Sequence, residues 1–254
     1  MSEERRMEML DNMETGIDAP SIAEQQQYWD ERWERHKRPN QYQTQRGEAI
    51  LALLQTVPLD QPKILDLGCA TGWFTENLSK LGQVTGIDLS ERAIAIAKTA
   101  YPNLTFLKGN IFEMPIYAEY FDLIVSQEVI AHVEDQVGFV QRIAQALKPS
   151  GYVVVTAANK VVMERHSFGP DPREHIKKWL DMKTLKRLLA DRFNVIRSTS
   201  AMPLGHGGFL KFTNSHKINA PLALLFGQQR LQRLKERLNL GYTIIVLAQK
   251  KNNG

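Results

Sequence analysis

The sequence predicts an α/β fold in which helices cover both faces of a mostly parallel sheet. The chain has 254 residues, 43% of them hydrophobic, which is enough to build the core of one large domain. Short β-branched runs alternate with helical patterns in its middle, and this alternation is typical of right-handed β-α-β crossovers. The predicted strands are Lys63–Leu67, Val84–Leu89, Leu104–Lys108, Phe121–Gln127 and Tyr152–Ala157.

The N-terminal part is predicted to form helices outside this sheet. The first fourteen residues are polar and rich in methionine, which indicates a poorly ordered tail. Ser21 then begins a helix that places Tyr28, Trp29 and Trp33 at roughly helical spacing. A second helix is expected from about Tyr42 to Thr56.

The chain divides accordingly into a tail with a helical cap, residues 1–57, and a ligand-binding domain, residues 58–254. The helical patterns within that domain have apolar stripes that can pack on the sheet. They are Trp73–Leu81, Glu91–Ala100, Gln136–Leu147 and, further along, about Met182 to Arg192.

After residue 160 the alternation loosens. A strand is predicted at Phe193–Thr199, and the strongly apolar strand Tyr242–Gln249 ends the pattern. These two strands can pair as an antiparallel end to the sheet. The segments 160–180 and 202–240 are then expected to be lid-like, because long insertions in α/β domains are usually functional.

Several classes of protein are disfavoured by composition. No apolar run approaches the ~20 residues that a membrane helix needs, and the start, MSEERRMEML, lacks the apolar stretch of a secretory signal. The single cysteine, Cys69, allows neither an internal disulfide nor a cysteine-based zinc site, and we predict no metal site. These features predict a soluble, cytoplasmic protein.

Charge is distributed unevenly along the chain. Residues 1–159 carry a net charge of −8, whereas residues 160–254 carry +12. The basic half suggests an anionic partner, although a solvated Lys- and Arg-rich surface would look the same. An amphipathic helix is predicted over Leu222–Leu240, which we expect to pack on the fold, to cover an anionic acceptor, or to make a weak contact with a membrane surface.

The strongest local signal is the stretch Asp66-Leu67-Gly68-Cys69-Ala70-Thr71-Gly72, which leaves a strand and enters a helix through small residues. Twenty residues after Gly68, the next strand ends in Asp88, where a carboxylate can accept both hydroxyls of a ribose. A nucleoside-containing ligand is therefore expected in this crevice.

The neighbouring residues argue against a dinucleotide. Trp73 stands where a dinucleotide fold needs a small residue for close contact between helix and strand. Asp66 would disfavour a pyrophosphate and favour an ammonium group. S-adenosylmethionine has such an amine, a carboxylate for the turn amides, and a sulfonium.

At these residues the chain resembles class I S-adenosylmethionine-dependent methyltransferases of the small-molecule (ubiquinone- or menaquinone-type and glycan or secondary-metabolite) branch. The first motif matches D-x-G-x-G-x-G with Ala70 in place of the middle glycine, and Phe121 to Val133 resembles the fourth motif. The resemblance covers roughly residues 60–158. It implies a Rossmann-like seven-stranded sheet in the order 3-2-1-4-5-7-6 with strand 7 antiparallel. The cofactor-binding residues it implies are Trp33, Asp66, Gly68, Cys69, Ala70, Gly72, Asp88, Leu89, Asn110, Ile111 and Gln127.

Candidates for the acceptor site follow the fourth strand and lie in the expected lids. His132 is placed to take a proton from an acceptor, or only to shape the site, since histidine ordinarily titrates near pH 6.5. His175 is a second candidate base and lies one helical turn from Trp179, although this pair could equally dock a helix into the core. The remaining candidate substrate contacts are Tyr28, Trp29, His166 and His206.

We therefore expect an enzyme that transfers a methyl group to a small, anionic acceptor, with an oxygen atom preferred over nitrogen or carbon. RNA methylation, which the basic half permits, is the alternative from another class. A ligand-binding protein without catalysis is a third reading, against which Asp66 and Asp88 argue. The sequence does not specify the acceptor or the oligomeric state.

Overall fold

The computed structural model describes residues 20–115, 117–164, 176, 178–203 and 215–252. A single seven-stranded sheet runs through this part of the chain in the order β3-β2-β1-β4-β5-β7-β6. This is the order predicted from the sequence. The strands are β1 Lys63–Leu67, β2 Gln83–Asp88, β3 Thr105–Lys108, β4 Phe121–Gln127, β5 Leu147–Ala158, β6 Phe193–Pro203 and β7 Gly241–Lys250.

Helices precede the sheet, cover both of its faces and join its last two strands. Those before and among the first five strands are α1 Ile22–Arg35, α2 Gln41–Leu54, α3 Trp73–Ser79, α4 Glu91–Ala100 and α5 Gln136–Ala146, with a short 3-10 helix at Ile130–His132. Those that follow are α6 Lys160–Met163, α7 Met182–Leu189, α8 His216–Phe226 and α9 Gln228–Arg237. No described helix is long and apolar enough to cross a bilayer.

Strand direction places the ends of β1, β2 and β4 side by side. β1 pairs in parallel with both β2 and β4, so Leu67 lies beside Ile87 on one side and Ser126 on the other. β7 is antiparallel to both β5 and β6, as expected. The loops that follow β1, β2 and β4 therefore open onto one edge of the sheet, where α/β proteins bind ligands.

The core has two halves, one on each face of the sheet. In β4, Leu123 and Val125 pack on the side of α2 and α3, whereas Ile124 packs on the side of α5 and α7. All three side chains are fully buried. Burial of both faces explains why the strands appear in the sequence as continuous apolar runs.

The N-terminal helices lie where the sequence places them. Ser21 caps α1 in a reciprocal capping box with Glu24, which satisfies two N–H groups at the helix start. α1 packs against α4 yet has no fully buried residue. α2 packs closely on α3, since a Cβ atom at Gly47 would lie 2.8 Å from the ring of Trp73. The large Trp73 side chain is thus accommodated by a glycine on the opposite helix.

Two expectations about local structure are wrong. The helix predicted over Leu222–Leu240 is two helices, α8 and α9, because Gly227 takes the left-handed φ of 81° and ends the first. β5 begins at Leu147 rather than near Tyr152, and Ser150 absorbs the local irregularity with a φ of 59°. α9 packs on the fold through a hydrogen bond from the hydroxyl of Ser200 to the carbonyl of Glu236, 2.8 Å long.

Candidate active site

The turn after β1 is built from three residues with left-handed backbone. Gly68, Ala70 and Gly72 have φ angles of 80°, 49° and 82°. The N–H groups of Gly68 and Cys69 both donate to the carbonyl of Ile87, at 2.8 and 3.0 Å, which fixes the turn to the end of β2. A Cβ atom at Gly68 would overlap Val129, so that glycine is needed for space as well as for conformation.

Asp88 connects this turn to the next helix. Its Oδ2 accepts a hydrogen bond from the N–H of Ala70 at 2.8 Å, and its Oδ1 accepts one from the N–H of Ser90 at 2.9 Å. Burial raises the pKa of Asp88 to about 6, against the lowering effect of these two donors. The residue predicted to bind ribose therefore also organises the turn.

Asp66 lies beneath the turn at the end of β1. Its side chain is 1% exposed, and its Oδ2 accepts a hydrogen bond from the hydroxyl of Thr75 at 2.7 Å. Burial, together with the smaller effect of the nearby negative charge of Asp88, raises the pKa of Asp66 to about 7. Two neighbouring carboxyl groups, one buried and one partly buried, favour a ligand with a positive charge over a phosphate.

The other predicted cofactor residues line the same edge in different ways. Cys69 is buried, and burial raises the pKa of its thiol well above the usual range, so it is a small turn residue. Asn110 follows β3, where its side-chain oxygen accepts from the N–H of Phe112 at 3.1 Å. Leu89 is partly buried next to Asp88, whereas the Ile111 side chain lies in the core beneath the edge.

Helix α1 extends from the start of α4, next to Asp88, to the 3-10 helix that follows β4. Asp30 accepts a hydrogen bond from the hydroxyl of Ser90 at 2.6 Å, and Glu34 forms an ion pair with Arg92. On the neighbouring face of α1, Trp29 contacts the ring of His132 edge-on, with a centroid distance of 4.9 Å. One helix thus contacts residues on both sides of the predicted donor site.

The aromatic residues of α1 form a continuous group. The Tyr28 ring contacts Trp29 edge-on at 5.0 Å, and Trp29 and Trp33 are stacked at 6.4 Å between centroids. All three side chains are partly buried. The structure therefore brings Tyr28 and Trp29, the predicted substrate contacts, together with His132, and it places Trp33 on the same helix.

His132 is held by the backbone of the segment that precedes α7. Its Nδ1 lies 3.0 Å from the carbonyl oxygen of Ile176. Because a carbonyl can only accept, we assign the proton to Nδ1, and the neutral ring then has its lone pair on Nε2. That tautomer is the one that a proton acceptor at Nε2 requires.

Three of the predicted histidines, His166, His175 and His206, lie outside the described residues. Trp179 is described, but it lies in irregular backbone rather than in a helix. The helical juxtaposition expected of His175 and Trp179 therefore does not hold at Trp179, because Leu180 pairs as a β-bridge with Asn159 and extends the chain there.

Sequence reasoning missed a polar group at the end of β4. The Nε of Arg46 donates to the Oε1 of Gln127, a predicted cofactor residue, at 2.9 Å. A guanidinium nitrogen of Arg46 also lies 3.6 Å from the Oε1 of Glu128. Arg46 stood in a predicted amphipathic helix with nothing in its sequence context to connect it with residues 81 positions away.

Comparison with known proteins agrees with this geometry. Residues 65–155 match the family model described as a methyltransferase domain. A probable S-adenosylmethionine-dependent methyltransferase of Mycobacterium tuberculosis is 30% identical over 99 residues, which are 39% of this chain and 36% of that protein. A ubiquinone biosynthesis O-methyltransferase of Bartonella tribocorum is 33% identical over 133 residues, 50% of this chain and 53% of the relative.

The matched residues include the turn after β1, Asp88, Asn110, the end of β4 and His132. The chain spans between about a third and a half of the length of these two curated relatives. The solved structure of the [4+2]-cyclase SpnF shares the fold, with a TM-score of 0.64, 18% identity, and coverage of 93% of this chain and 99% of the cyclase.

Proposed function

We propose that this protein transfers the methyl group of S-adenosylmethionine to an oxygen atom of a small molecule. One observation carries the proposal: Asp88 is hydrogen-bonded to the left-handed turn at Ala70, so the ribose-binding position and the turn form one unit. A ribose would bind Asp88, and the turn would receive the amino-acid end of the donor. The adenine edge falls to Asn110, which follows the adjacent strand.

The buried acids fit this donor. Asp66 is almost fully buried with its pKa raised to about 7, so an ammonium group would replace the solvation that the carboxylate lacks. A pyrophosphate placed here would face two carboxyl groups instead. When bound, S-adenosylmethionine supplies a methyl group that is already activated by the sulfonium.

The remaining task of the protein is alignment of the acceptor and exclusion of water, which can supply most of the rate enhancement. Trp29 on α1 and His132 after β4 bound the space where the acceptor would lie. An acceptor hydroxyl must also lose a proton as the new C–O bond forms. We assign that proton to Nε2 of His132, whose Nδ1 is oriented by Ile176.

The choice of oxygen draws support from similarity to ubiquinone biosynthesis O-methyltransferases. The anionic character of the acceptor rests on the net charge of +12 in residues 160–254. Exposed basic residues on α9, which follows Gly227, contribute to that charge.

Calorimetry with S-adenosylmethionine tests the donor assignment directly. We expect micromolar binding by the wild type and a loss of at least tenfold in affinity for Asp88→Ala. Asp60→Ala, which changes an exposed aspartate, is the matched control and should bind normally. Equal affinities for the wild type and Asp88→Ala would remove the ribose assignment, and uptake of NAD instead would refute the proposal.

A second candidate function is a reaction other than methyl transfer in the same pocket, because the structural neighbour SpnF is a [4+2]-cyclase. Incubation of the wild type with cell extract and methyl-labelled S-adenosylmethionine separates the two. Label in a small-molecule product supports methyl transfer. Donor binding without labelled product in any extract would favour the second function.

A further inference from the structure

Glu128, immediately after β4, is held in a conformation that costs free energy. Its φ is 60°, a left-handed value that residues other than glycine rarely adopt. The backbone N–H of Glu128 donates to both the carbonyl and the hydroxyl of Thr156, each at 3.1 Å, which maintains this conformation. Strained backbone of this kind is concentrated at functional sites.

The carboxylate of Glu128 is fixed through one oxygen. Its Oε1 accepts hydrogen bonds from the hydroxyls of Thr156 at 3.0 Å and Thr243 at 3.2 Å, and lies 3.6 Å from Arg46. Within the described part of the chain, no hydrogen bond or ion pair reaches Oε2. The side chain is 22% exposed, and because Oε1 is engaged by the two threonines, Oε2 is the oxygen that retains hydrogen-bonding capacity for a ligand.

Arg46 and two tyrosines complete the surroundings. Arg46 is itself only 11% exposed and compensates the charge of Glu128. The ring of Tyr242 stacks on Tyr42 of α2 at 6.0 Å, and both burial and the negative charge of Glu128 raise the pKa of Tyr242. Residues of α2, β4, β5 and β7 thus converge at the end of β4, on the edge of the sheet that carries the donor turn.

We propose that Oε2 of Glu128 binds a hydroxyl group of the acceptor and so selects acceptors that carry one. The inference rests on the proposed function for the location of the acceptor, but the contact itself is independent of methyl transfer. A carboxylate held in place and mostly shielded from water accepts a hydrogen bond strongly, and it discriminates against ligands that lack a hydroxyl group because its desolvation is then uncompensated. Thr156 and Thr243, which donate to Oε1, are positioning residues for this carboxylate.

A pair of matched ligands tests the contact without turnover. The probes are 3,4-dihydroxybenzoate and 3,4-dimethoxybenzoate, in which methyl groups replace the two phenolic hydrogens. Binding is titrated by quenching of tryptophan fluorescence in the absence of S-adenosylmethionine. We expect the wild type to bind the diol at least tenfold more tightly. In Glu128→Gln the amide oxygen can still accept from the threonines, while an NH2 group replaces Oε2, so the preference should fall below threefold.

Glu76→Gln, on the exposed surface of α3, is the control and should keep the wild-type preference. The preference is the ratio of two affinities measured on one protein, so a modest loss of stability in Glu128→Gln does not affect it. Glu128→Asp, whose side chain is one methylene shorter, is the second variant and should also weaken the preference. An unchanged preference in both variants, or no binding of either probe by the wild type, would overturn the proposal. Calorimetry with S-adenosylmethionine on the same samples reports separately on the proposed function.

Discussion

Asp30 on α1 accepts two hydrogen bonds from the start of α4, one from the hydroxyl of Ser90 at 2.6 Å and one from the N–H of Arg92 at 3.0 Å. Ser90 in turn donates its own N–H to Asp88 at 2.9 Å. The N-terminal helix is therefore connected through a single residue, Ser90, to Asp88, the carboxylate that we propose binds the donor.

We expect Asp30→Ala to weaken donor binding by about five- to thirtyfold, which corresponds to a loss of ~1–2 kcal/mol of net hydrogen-bond free energy. The reason is that α1 has no fully buried residue and depends on polar contacts to stay over the crevice. Calorimetry with S-adenosylmethionine measures the effect. Glu31→Ala, an exposed neighbour on the same helix, should bind like the wild type. Full affinity in Asp30→Ala would mean that α1 does not cover the donor.

Ala70→Gly should stabilise the protein, by about 1 kcal/mol, because Ala70 has a left-handed φ of 49° that glycine adopts without penalty. The identical change at Ala95, exposed in the middle of α4, should destabilise by about 1 kcal/mol. Thermal unfolding of the two variants compares them. A lower midpoint for Ala70→Gly than for the wild type would contradict the strain at this turn.

Donor affinity should rise with pH between about 6 and 7. The pKa values of Asp66 and Asp88 are raised to about 7 and 6, and a bound cation favours their ionised forms, so binding releases protons in this range. Calorimetry in buffers of different ionisation enthalpy measures the release. Asp66→Asn should remove the component near pH 7, and an unchanged release would contradict the assignment of that component to Asp66.

The same shift affects the stability of the ligand-free protein. A carboxyl group with a raised pKa in the folded state binds more protons than in the unfolded state, so stability falls as pH rises from about 4 to 7. Asp66→Asn should therefore be more stable than the wild type at pH 7.5, with the advantage disappearing towards pH 4. Thermal melts across this range measure it, and a difference independent of pH would point to packing instead.

His132→Gln should reduce turnover of a hydroxyl acceptor by about 10²–10⁴-fold with little change in donor affinity, the range typical of a lost general base. Wild-type turnover should fall on the acid side as the imidazole becomes protonated, and the variant should lack that limb. The pH profile of turnover is the measurement. If the variant keeps the acid limb, His132 only shapes the site.

The sheet and the turn after β1 were predictable because the sequence patterns that indicate them lie within short stretches of the chain. Buried parallel strands are continuous apolar runs, and the turn from Gly68 to Gly72 uses residue types that its backbone requires. The start of β5 at Leu147 was not predictable, because Pro149-Ser150-Gly151 is typical of a turn. The sheet accommodates these residues as an irregular start of the strand.

The polar group at the end of β4 could not be predicted for a different reason. Its contacts join Arg46, Glu128 and Thr243, which are distant in sequence, and the left-handed backbone of Glu128 has no residue signature. Gly227, by contrast, was a visible sign of a helix end. The amphipathic pattern over Leu222–Leu240 nevertheless led to the prediction of one long helix. Local sequence patterns therefore predicted the turn after β1 and its contact with β2, whereas the polar group at the end of β4 depends on tertiary contacts.

The protein carries one cysteine, and that cysteine lies within the donor turn. Cys69 is 4% exposed with its thiol held in the protonated form, so alkylating reagents can modify the native chain only when the turn opens. The rate of thiol modification therefore reports how often this one turn opens in the native protein. A ligand that binds at this turn should lower the modification rate in proportion to its occupancy, and no engineered label is needed to measure it.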